Sequence, residues 1–577
     1  MSDSGDRPTA STIEKESLHL TQLWAPSKVR WNTYDEYVNQ TYAVWDATHG
    51  DRPKWHLSMA SSIIDTAVST QLALNPSASR DSVSRGEKKS EADDEIETWT
   101  TNRLNAIAAF SVQLPAKQLA RHLVTYGYGV LKGPLLDFSD EPEDPEKMKK
   151  RRSETTEDFE HRQLQNKHAR EDWFPFRTEA PHPARILLDP TEKRPTAGLE
   201  VTGRYRIDLH KTTLRRAEHF EGVKIYPFQD GDDPFQVIPT IERWSMDFHA
   251  LMASGEGDSN GLLFVENNTH GFVPYKHGFA GFGGEPTEFE KVDPKFLAKG
   301  LLESSLETIR RESQRISSQH NLLMMAAWSP LVLEGHTADE IREMMRGDVI
   351  PVKPGELEYL KTPEVKEWWF RMGDEVAREI ELATGTRDLG GQRQAGVDTV
   401  GQQLILRSAS LSKFSALGAQ MDHMFTQEAQ DALRLVDNVL KRKVRVGGAE
   451  IGPQDIGGNY TVEVKFERID PVLQIQEAEL AMRQLAAGLI DVETALAKSG
   501  YEDITAIRKG KMKDAIRAMP EVQKRLTLDA LREDNLGELA DELENMTPEE
   551  VQIALGAIPQ GNERSLADLL PRSPDGT

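Results

Sequence analysis

The sequence predicts an α+β fold that is mainly helical. Two observations carry this prediction. Apolar residues recur at helical spacing in several long stretches of the chain. Short β-type runs, separated by turn-forming residues such as glycine, proline and asparagine, lie mostly before residue 293. We therefore expect a mixed N-terminal region followed by a largely helical remainder.

The composition limits the classes of function open to the chain. Its 577 residues are enough for several domains, and its formal net charge is −24. A protein that binds nucleic acid tightly is usually basic, because lysine and arginine neutralise phosphates. There is no cysteine, which excludes disulfides and thiol catalysis. No apolar run approaches the roughly 18 residues of a membrane span, so no membrane association is expected.

The N-terminal part of the chain is predicted to be mainly helical up to residue 126. Residues 1–30 are predicted to be loosely ordered, and helices are predicted over Tyr34–Thr48, Lys54–Leu74 and Glu95–Tyr126. The stretch YGVLKGPLLDF then reads as a strand. Residues 138–172 are almost entirely polar or charged, so they cannot bury a core and are predicted to be an exposed excursion, either helical or disordered. Further strands are expected at ARILLDP, LEVTGRYRI, VIPTIERWSM, GLLFVENN and FVPYKH.

A long amphipathic helix is predicted from Asp293 to Trp328. Asp293 is a suitable N-cap, and Pro294 follows at the first helical position. An apolar seam of coiled-coil spacing runs along this helix. Its members are Leu302, Leu306, Ile309 and Ile316.

A second amphipathic helix is predicted from Thr362 to Gly385. Thr362 is its candidate N-cap and Gly385 its candidate C-terminal stop. Its apolar stripe consists of Val365, Trp369, Met372, Val376 and Ile380. The pair of helices fits either a hairpin inside a globular core or a wall packed between neighbouring subunits.

The segments beside these helices complete the central region. Residues 328–361 contain two β-type runs, PLVLEG and DVIPVKPG, around a small helix, TADEIREMM. The loop 386–399 is rich in glycine, and it is either a flexible connection or a loop that projects into a channel. The helix after it carries Leu404, Leu411, Phe414, Met421 and Phe425. Two strands around a glycine-rich turn follow, and residues 471–570 are predicted to be helical.

The order of these elements resembles the portal proteins of tailed double-stranded DNA bacteriophages. A long stem helix, a small clip, a second stem helix, a glycine-rich loop and another long helix follow each other in that family. The stretches SSIIDTAVSTQLALNP, LVTYGYGVLKGPLLDF, ARILLDP, VPYKHG and AAGLIDVETALAKSGYED are similar to its flanking elements. The resemblance covers roughly residues 55–510. The chain departs from the family in two places: the loop 386–399 lacks the Ser-Gly-rich sequence that is common in portals, and the excursion 138–172 is an addition.

The resemblance implies a portal-type architecture. The implied regions are an N-terminal tail (1–30), a wing (31–292), stem helix 1 (293–327), a clip (328–361), stem helix 2 (362–385), a tunnel loop (386–399), a long helix with returning wing strands (400–470), a helical crown (471–570) and a tail (571–577).

The resemblance also implies a function. It implies a homododecameric ring at one capsid vertex of a virion, assembled in the host cytoplasm, that lets double-stranded DNA pass. Implied partners are terminase, adaptor and head-completion proteins, tail proteins, and the major capsid and scaffolding proteins. Candidates for contact with DNA in the tunnel are Arg387, Gln392, Arg393 and Gln394. Candidates for terminase docking in the clip are Arg342, Arg346 and Lys353.

The sequence lacks common patterns for nucleotide and metal binding, which favours a protein that is not an enzyme and needs no cofactor or metal. There is no G-x-x-x-x-G-K-[ST] loop for ATP, which argues against a packaging motor. The calcium-like DGDDPF has Ile241 where the twelfth position requires glutamate. Two alternatives stay open. One is another phage structural ring such as a head–tail adaptor, although adaptors are usually much shorter. The other is a phage-associated enzyme with a helical core.

Overall fold

The computed structural model is mixed α/β and mainly helical, as the sequence predicts. It describes residues 7–45, 54–71, 76–80, 91–110, 114–137, 141–143, 145, 148–151, 154–171, 173–192, 194–253, 261–284, 293–327, 331–333, 357–359, 373–376, 378–380, 384, 412–466, 480–487, 495, 522 and 525. The chain divides into two compact units, Met1–Arg468 and Ile469–Thr577. In the second unit a helical stretch, 480–486, is described, and Ala481 is buried.

The described helices and strands alternate along the first unit. The helices are α1 (Ala10–Val38), α2 (Met59–Gln71), α3 (Glu91–Phe110), α4 (Pro115–Tyr126), α5 (Thr156–Glu171), α6 (Arg206–His219), α7 (Pro294–Leu297), α8 (Leu306–Ala327), α9 (Ser415–Arg434) and α10 (Pro453–Ile456). The first strands are β1 (Pro76–Ser79), β2 (Tyr128–Leu136), β3 (Phe176–Glu179), β4 (Ile186–Leu187), β5 (Ala197–Tyr205), β6 (Val237–Ser245) and β7 (Phe248–Ala253). The remaining strands are β8 (Gly261–Asn267), β9 (Tyr275–Phe279), β10 (Leu331–Leu333), β11 (Leu357–Tyr359), β12 (Val444–Val446), β13 (Ala449–Ile451) and β14 (Glu463–Phe466).

All the described strand pairs are antiparallel. A five-stranded sheet has the order β4-β5-β6-β7-β8, and a three-stranded sheet has the order β3-β2-β9. The pairs β1-β14, β10-β11 and β12-β13 complete the set. The pairing of β1 with β14 joins residues nearly 400 positions apart, so the N-terminal region folds onto the segment after α9.

The prediction that residues 1–30 are loosely ordered is wrong, because most of them belong to α1. Trp24 and Trp31 are buried, and their indole N–H groups donate to the carbonyls of Leu188 (2.9 Å) and Tyr126 (3.0 Å). The polar composition of this stretch hid a sparse apolar stripe at helical spacing. The members of this stripe are Ile13, Leu20, Trp24, Trp31 and Tyr34.

The helix predicted over Glu95–Tyr126 is two helices, α3 and α4. Pro115 occupies the first turn of α4, where a proline is tolerated, whereas inside a continuous helix it would remove a hydrogen bond. The predicted end at Gly127 is confirmed: this residue is left-handed, with φ 70°, and its N–H bonds to the carbonyl of Leu123 at 3.0 Å. Both the division at Pro115 and the end at Gly127 therefore have local causes.

The predicted strand LEVTGRYRI ends earlier than expected. Strand β5 stops at Tyr205, and α6 begins at Arg206, so the last residues of that stretch are helical. Strand β7 was not predicted at all. Its HALMA sequence has no clear alternation, and its place between β6 and β8 comes from pairing across the sheet.

A chain of buried charges joins the two larger sheets. Lys132 on β2 contacts Glu200 on β5 and, at 3.1 Å, Glu242 on β6. Burial alone would lower the pKa of Lys132, but Glu242 and Glu200 hold it well above its usual value. The Glu242 carboxylate also contacts His249 on β7 at 3.0 Å. These contacts link β2 to β5 and β6, because any one of these charges left unpaired in the interior would be costly.

Helix α9 runs through the largest hydrophobic cluster of the first unit. Phe414 at its start, Met421 and Phe425 are buried there, as the sequence predicts. The prediction for Leu404 and Leu411 lies outside the described residues. In the same cluster Arg103 of α3 forms a two-pronged ion pair with Glu428 of α9, and both side chains are fully buried.

Candidate functional site

The predicted first stem helix is interrupted. Asp293 caps α7 through Oδ1, which accepts from the Lys295 N–H at 2.9 Å, and Pro294 follows it, so the predicted helix start is confirmed. Residues 298–305 are not helical, and α8 starts only at Leu306. The predicted apolar seam therefore loses Leu302, which lies in the turn.

A close backbone contact explains the break. A Cβ atom on Gly300 would lie 1.9 Å from the carbonyl oxygen of Thr125, and Leu301 N–H bonds to the carbonyl of Val124 at 2.9 Å. The turn is thus docked on the last turn of α4. These hydrogen bonds replace the helical ones that the sequence pattern favours.

Helix α8 begins in the core and leaves it. Ile309 and Ser313 near its start are buried, and Gln314 donates to the carbonyl of Val44 at 2.7 Å. Towards its end, Leu323 and Met324 are 60% and 49% exposed. Two large apolar side chains therefore lie next to each other at the surface on the last part of the helix.

A two-stranded ribbon follows α8. Strand β10 confirms the β-type prediction for PLVLEG, and it pairs with β11 so that Leu331 is opposite Tyr359 and Leu333 opposite Leu357. The second predicted run, DVIPVKPG, the helix TADEIREMM and the docking candidates Arg342, Arg346 and Lys353 lie outside the described residues. Since the strands are antiparallel, the chain leaves along one strand and returns along the other.

The chain then returns to the body as a helix. Residues 373–376 and 378–380 are helical, and Ile380 is buried in the cluster that also contains Ile309. A Cβ atom on Gly373 would lie 2.2 Å from a guanidinium nitrogen of Arg315, so this helix passes directly beside α8. Val376 packs on the same cluster, as the predicted stripe requires. The start of this helix, its stop at Gly385 and the residues Val365, Trp369 and Met372 lie outside the described residues.

The structure describes none of the four tunnel candidates. Arg387, Gln392, Arg393 and Gln394, with the whole loop 386–399, lie outside the described residues.

The charges along α8 are paired within the chain. Glu307 contacts both Arg310 and Arg311 at 3.2 Å, and Glu312 contacts Arg315. Ahead of the helix, Glu303 pairs with Arg30 at 3.2 Å. The hydrogen bonds that the Arg315 guanidinium donates to the Glu312 carboxylate raise the pKa of Arg315, as does the nearby Asp374. Each cation on this helix therefore has a carboxylate neighbour, which weakens its attraction for an outside anion.

The described residues hold few features of a reactive site. Groups of three or more residues that could bind a metal are absent among them. None of the described helices is long and apolar enough to cross a membrane. The sequence does contain one G-x-S-x-G pattern at 257–261, between β7 and β8. A nucleophile elbow requires a strand followed by a helix, whereas β7 and β8 are paired antiparallel.

Comparisons with known proteins gave structural similarity only. No protein-family model matches the chain, and no curated protein matches it. Among solved structures, a chain of the virion of a native gene transfer agent particle is similar with a TM-score of 0.35 and 11% identity, covering 76% of this chain and 89% of that one.

Two further solved structures are similar to the same extent. A chain from the neck of an empty gene transfer agent particle, computed with C6 symmetry, has a TM-score of 0.34 and 12% identity over 77% of this chain and 90% of that one. A chain from the neck of a native particle, computed with C12 symmetry, has a TM-score of 0.36 and 10% identity over 76% and 89%. Similarity at this level does not define the function of this chain.

Proposed function

We propose that this chain is a portal protein: a subunit of a ring at one vertex of a phage-like virion, through which double-stranded DNA is packaged and ejected. The observation that carries the proposal is the order of helix, two-stranded ribbon and helix formed by α8, the β10-β11 pair and the helical residues 373–376 and 378–380, which pass beside α8. In the proposed subunit this segment is a projection. A single chain gains little from this projection. A ring of chains packs such projections side by side into a wall.

The exposed apolar residues of α8 support packing between subunits. Leu323 and Met324 lie on the part of the helix that has left the core. A closed ring with one subunit type needs two different faces that fit each other, and the two sides of a helical hairpin provide them. These side chains are about half exposed, so burying the rest of them against a neighbour would recover about 1 kcal/mol for each residue.

The charge pattern suits passage of DNA without binding. Helix α8 has 22 residues and is therefore about 33 Å long. Duplex DNA presents one phosphate charge per ~1.7 Å of axis, so about 19 charges would pass along this length. Free arginines would hold the DNA there. The pairing of Arg310, Arg311 and Arg315 with carboxylates, and the net charge of −24, both reduce that attraction.

The projection would also carry the docking site for terminase and, after packaging, for head-completion proteins. We assign Arg342, Arg346 and Lys353 to that site. Reversing all three charges should weaken terminase binding while leaving the ring intact. Unchanged binding of terminase by the triple variant would remove these residues from the interface.

Mass measurement and negative-stain imaging of the purified chain test the ring itself. Ring particles with one fixed subunit number, twelve by our expectation, are the predicted result. A chain that stays monomeric at high concentration would refute the proposal.

A further inference from the structure

Beyond the projection, the first unit displays an apolar patch on a short acidic loop. Phe235 is 70% exposed, the highest fraction among the large apolar side chains that the structure describes. Its ring meets that of Tyr205 edge-on, with centroids 6.0 Å apart. Tyr205 is directly opposite the exposed Val237 in the β5-β6 ladder. These three residues form one continuous patch at the end of the five-stranded sheet.

The loop that presents Phe235, residues 229–236, is held in one shape. The Asp232 carboxylate accepts from the Gln229 N–H at 3.0 Å and pairs with Arg206 at 2.7 Å. Asp233 accepts from the N–H of Phe235 at 3.0 Å. A side chain that is already positioned loses less conformational freedom on binding, which favours a role in recognition.

The loop is also negatively charged. Asp230 and Asp233 are exposed, and among the described residues Asp230 has no hydrogen-bond or ion-pair partner. An apolar contact surrounded by carboxylates fits a partner surface with an apolar centre and a basic rim.

The same unit contains a surface of that description. A cavity of about 740 Å³ lies between α2, α3, α4 and α9. Its apolar lining includes Val68, Leu104, Ile107, Leu114, Pro115 and Phe425. Its charged lining residues are Asp65, Lys117 and Arg121, so one positive charge remains in excess. Arg121 pairs with Asp65 at 3.0 Å, whereas the exposed Lys117 has no ion-pair partner in the described part of the chain.

We propose that the acidic loop of one subunit inserts Phe235 into this cavity of the next subunit around the ring. The inference rests on the proposed ring and adds to it a second contact, outside the projection. Within the described part of one chain the patch is exposed and the cavity is open, so both surfaces are available to a neighbouring chain. Two different surfaces of one chain that complement each other make a head-to-tail contact, the kind that generates a ring.

The absence of cysteine allows a direct test by cross-linking. Gln236→Cys combined with Leu114→Cys places one thiol on the loop beside Phe235, which stays in place, and one at the cavity, where Leu114 is 49% exposed. Oxidation, with a short bis-maleimide in parallel, should give a ladder of covalent multimers that ends at the subunit number of the ring. Mixing the two single-cysteine variants should stop the ladder at dimers.

A matched control uses an exposed residue on another element. Leu164 on α5 is 53% exposed, so Gln236→Cys with Leu164→Cys has a thiol of similar accessibility at a place outside the proposed contact. Rings that form normally but cross-link no more than this control would overturn the inference and leave the proposed function standing. A wild-type chain that remains monomeric by mass would refute the ring itself, which separates the two failures.

Charge exchange gives an independent test. Asp230→Lys should slow ring assembly at low salt, because it sets like charges against each other across the contact. Adding Lys117→Glu should restore the assembly rate. Phe235→Ala should weaken association of subunits by roughly tenfold to a hundredfold, the effect of one buried phenylalanine ring. If Asp230→Lys had no effect, or if Lys117→Glu failed to rescue it, the proposed pairing of loop and cavity would be wrong.

Discussion

Replacing Glu428 by glutamine should destabilise the core of the first unit. The Glu428 carboxylate accepts two hydrogen bonds from Arg103, one of 2.8 Å, and a third from the Thr178 hydroxyl at 2.8 Å. Both members of the ion pair are fully buried. Glutamine removes the negative charge and turns an N–H₂ group towards the guanidinium. Breaking a buried ion pair in this way costs about 3–5 kcal/mol, against a total stability of roughly 5–15 kcal/mol for a domain.

Hydrogen exchange measured by mass spectrometry on peptides from α3 and α9 is the appropriate assay, because unfolding of a chain this long is not two-state. The expected loss of about 3–5 kcal/mol in the free energy of unfolding corresponds to an increase of about two to four powers of ten in the exchange rate of the most protected amides. Arg103→Met with Glu428→Leu should recover most of it, since an apolar pair of similar volume leaves no buried charge.

The control is the exposed pair of Glu463 and Lys465, 3.2 Å apart. Glu463→Gln should change stability by less than about 1 kcal/mol. If Glu428→Gln had no larger effect than Glu463→Gln, or if the apolar pair exchanged as fast as the single variant, the reasoning about the buried charge would be refuted.

Three further predictions follow from particular residues. Gly127→Ala should destabilise the first unit by at least about 2 kcal/mol, measured by hydrogen exchange in peptides from α4, because φ is 70° and the new Cβ would lie 1.9 Å from the Lys299 carbonyl oxygen. Gly222→Ala is the control: φ is 81° and nothing lies within 4 Å of the new Cβ, so the only cost is backbone strain. Burial lowers the pKa of His122 to about 3, so the unfolded chain binds the extra proton below roughly pH 6.5. The free energy of unfolding should therefore fall as the pH falls from about 6.5 towards 3. His122→Phe should reduce the slope of unfolding free energy against pH by about 1.4 kcal/mol per pH unit in this range, and an unchanged slope would contradict this. Deleting residues 389–396 should leave rings intact by imaging yet impair DNA packaging, and normal packaging would show that the loop does not act on DNA.

Local patterns were sufficient for the ends of several elements. Asp293 with Pro294 defined the start of α7, and Gly127 defined the end of α4, because capping depends on the residue type at one or two positions. The buried face of α9 followed from helical spacing at Phe414, Met421 and Phe425. These features need no knowledge of distant parts of the chain.

Contacts between distant residues decided the rest. Residues 298–305 have a helical pattern, yet they form a turn because Gly300 lets the backbone approach Thr125 on α4. Strand β7 exists because β6 and β8 lie on either side of it.

The sequence by itself determined the α+β class, the acidic balance, the lack of cysteine and the order of helices and short strands around a central insert. Those properties depend on residue type and on spacing of a few positions, which a sequence states directly. Only the tertiary structure decided that α8 leaves the core, that its arginines are paired, and that Phe235 is exposed while the apolar cavity among α2, α3, α4 and α9 is open. Exposure and pairing depend on which distant residues become neighbours, so the surfaces from which we infer a ring became visible only in the folded chain.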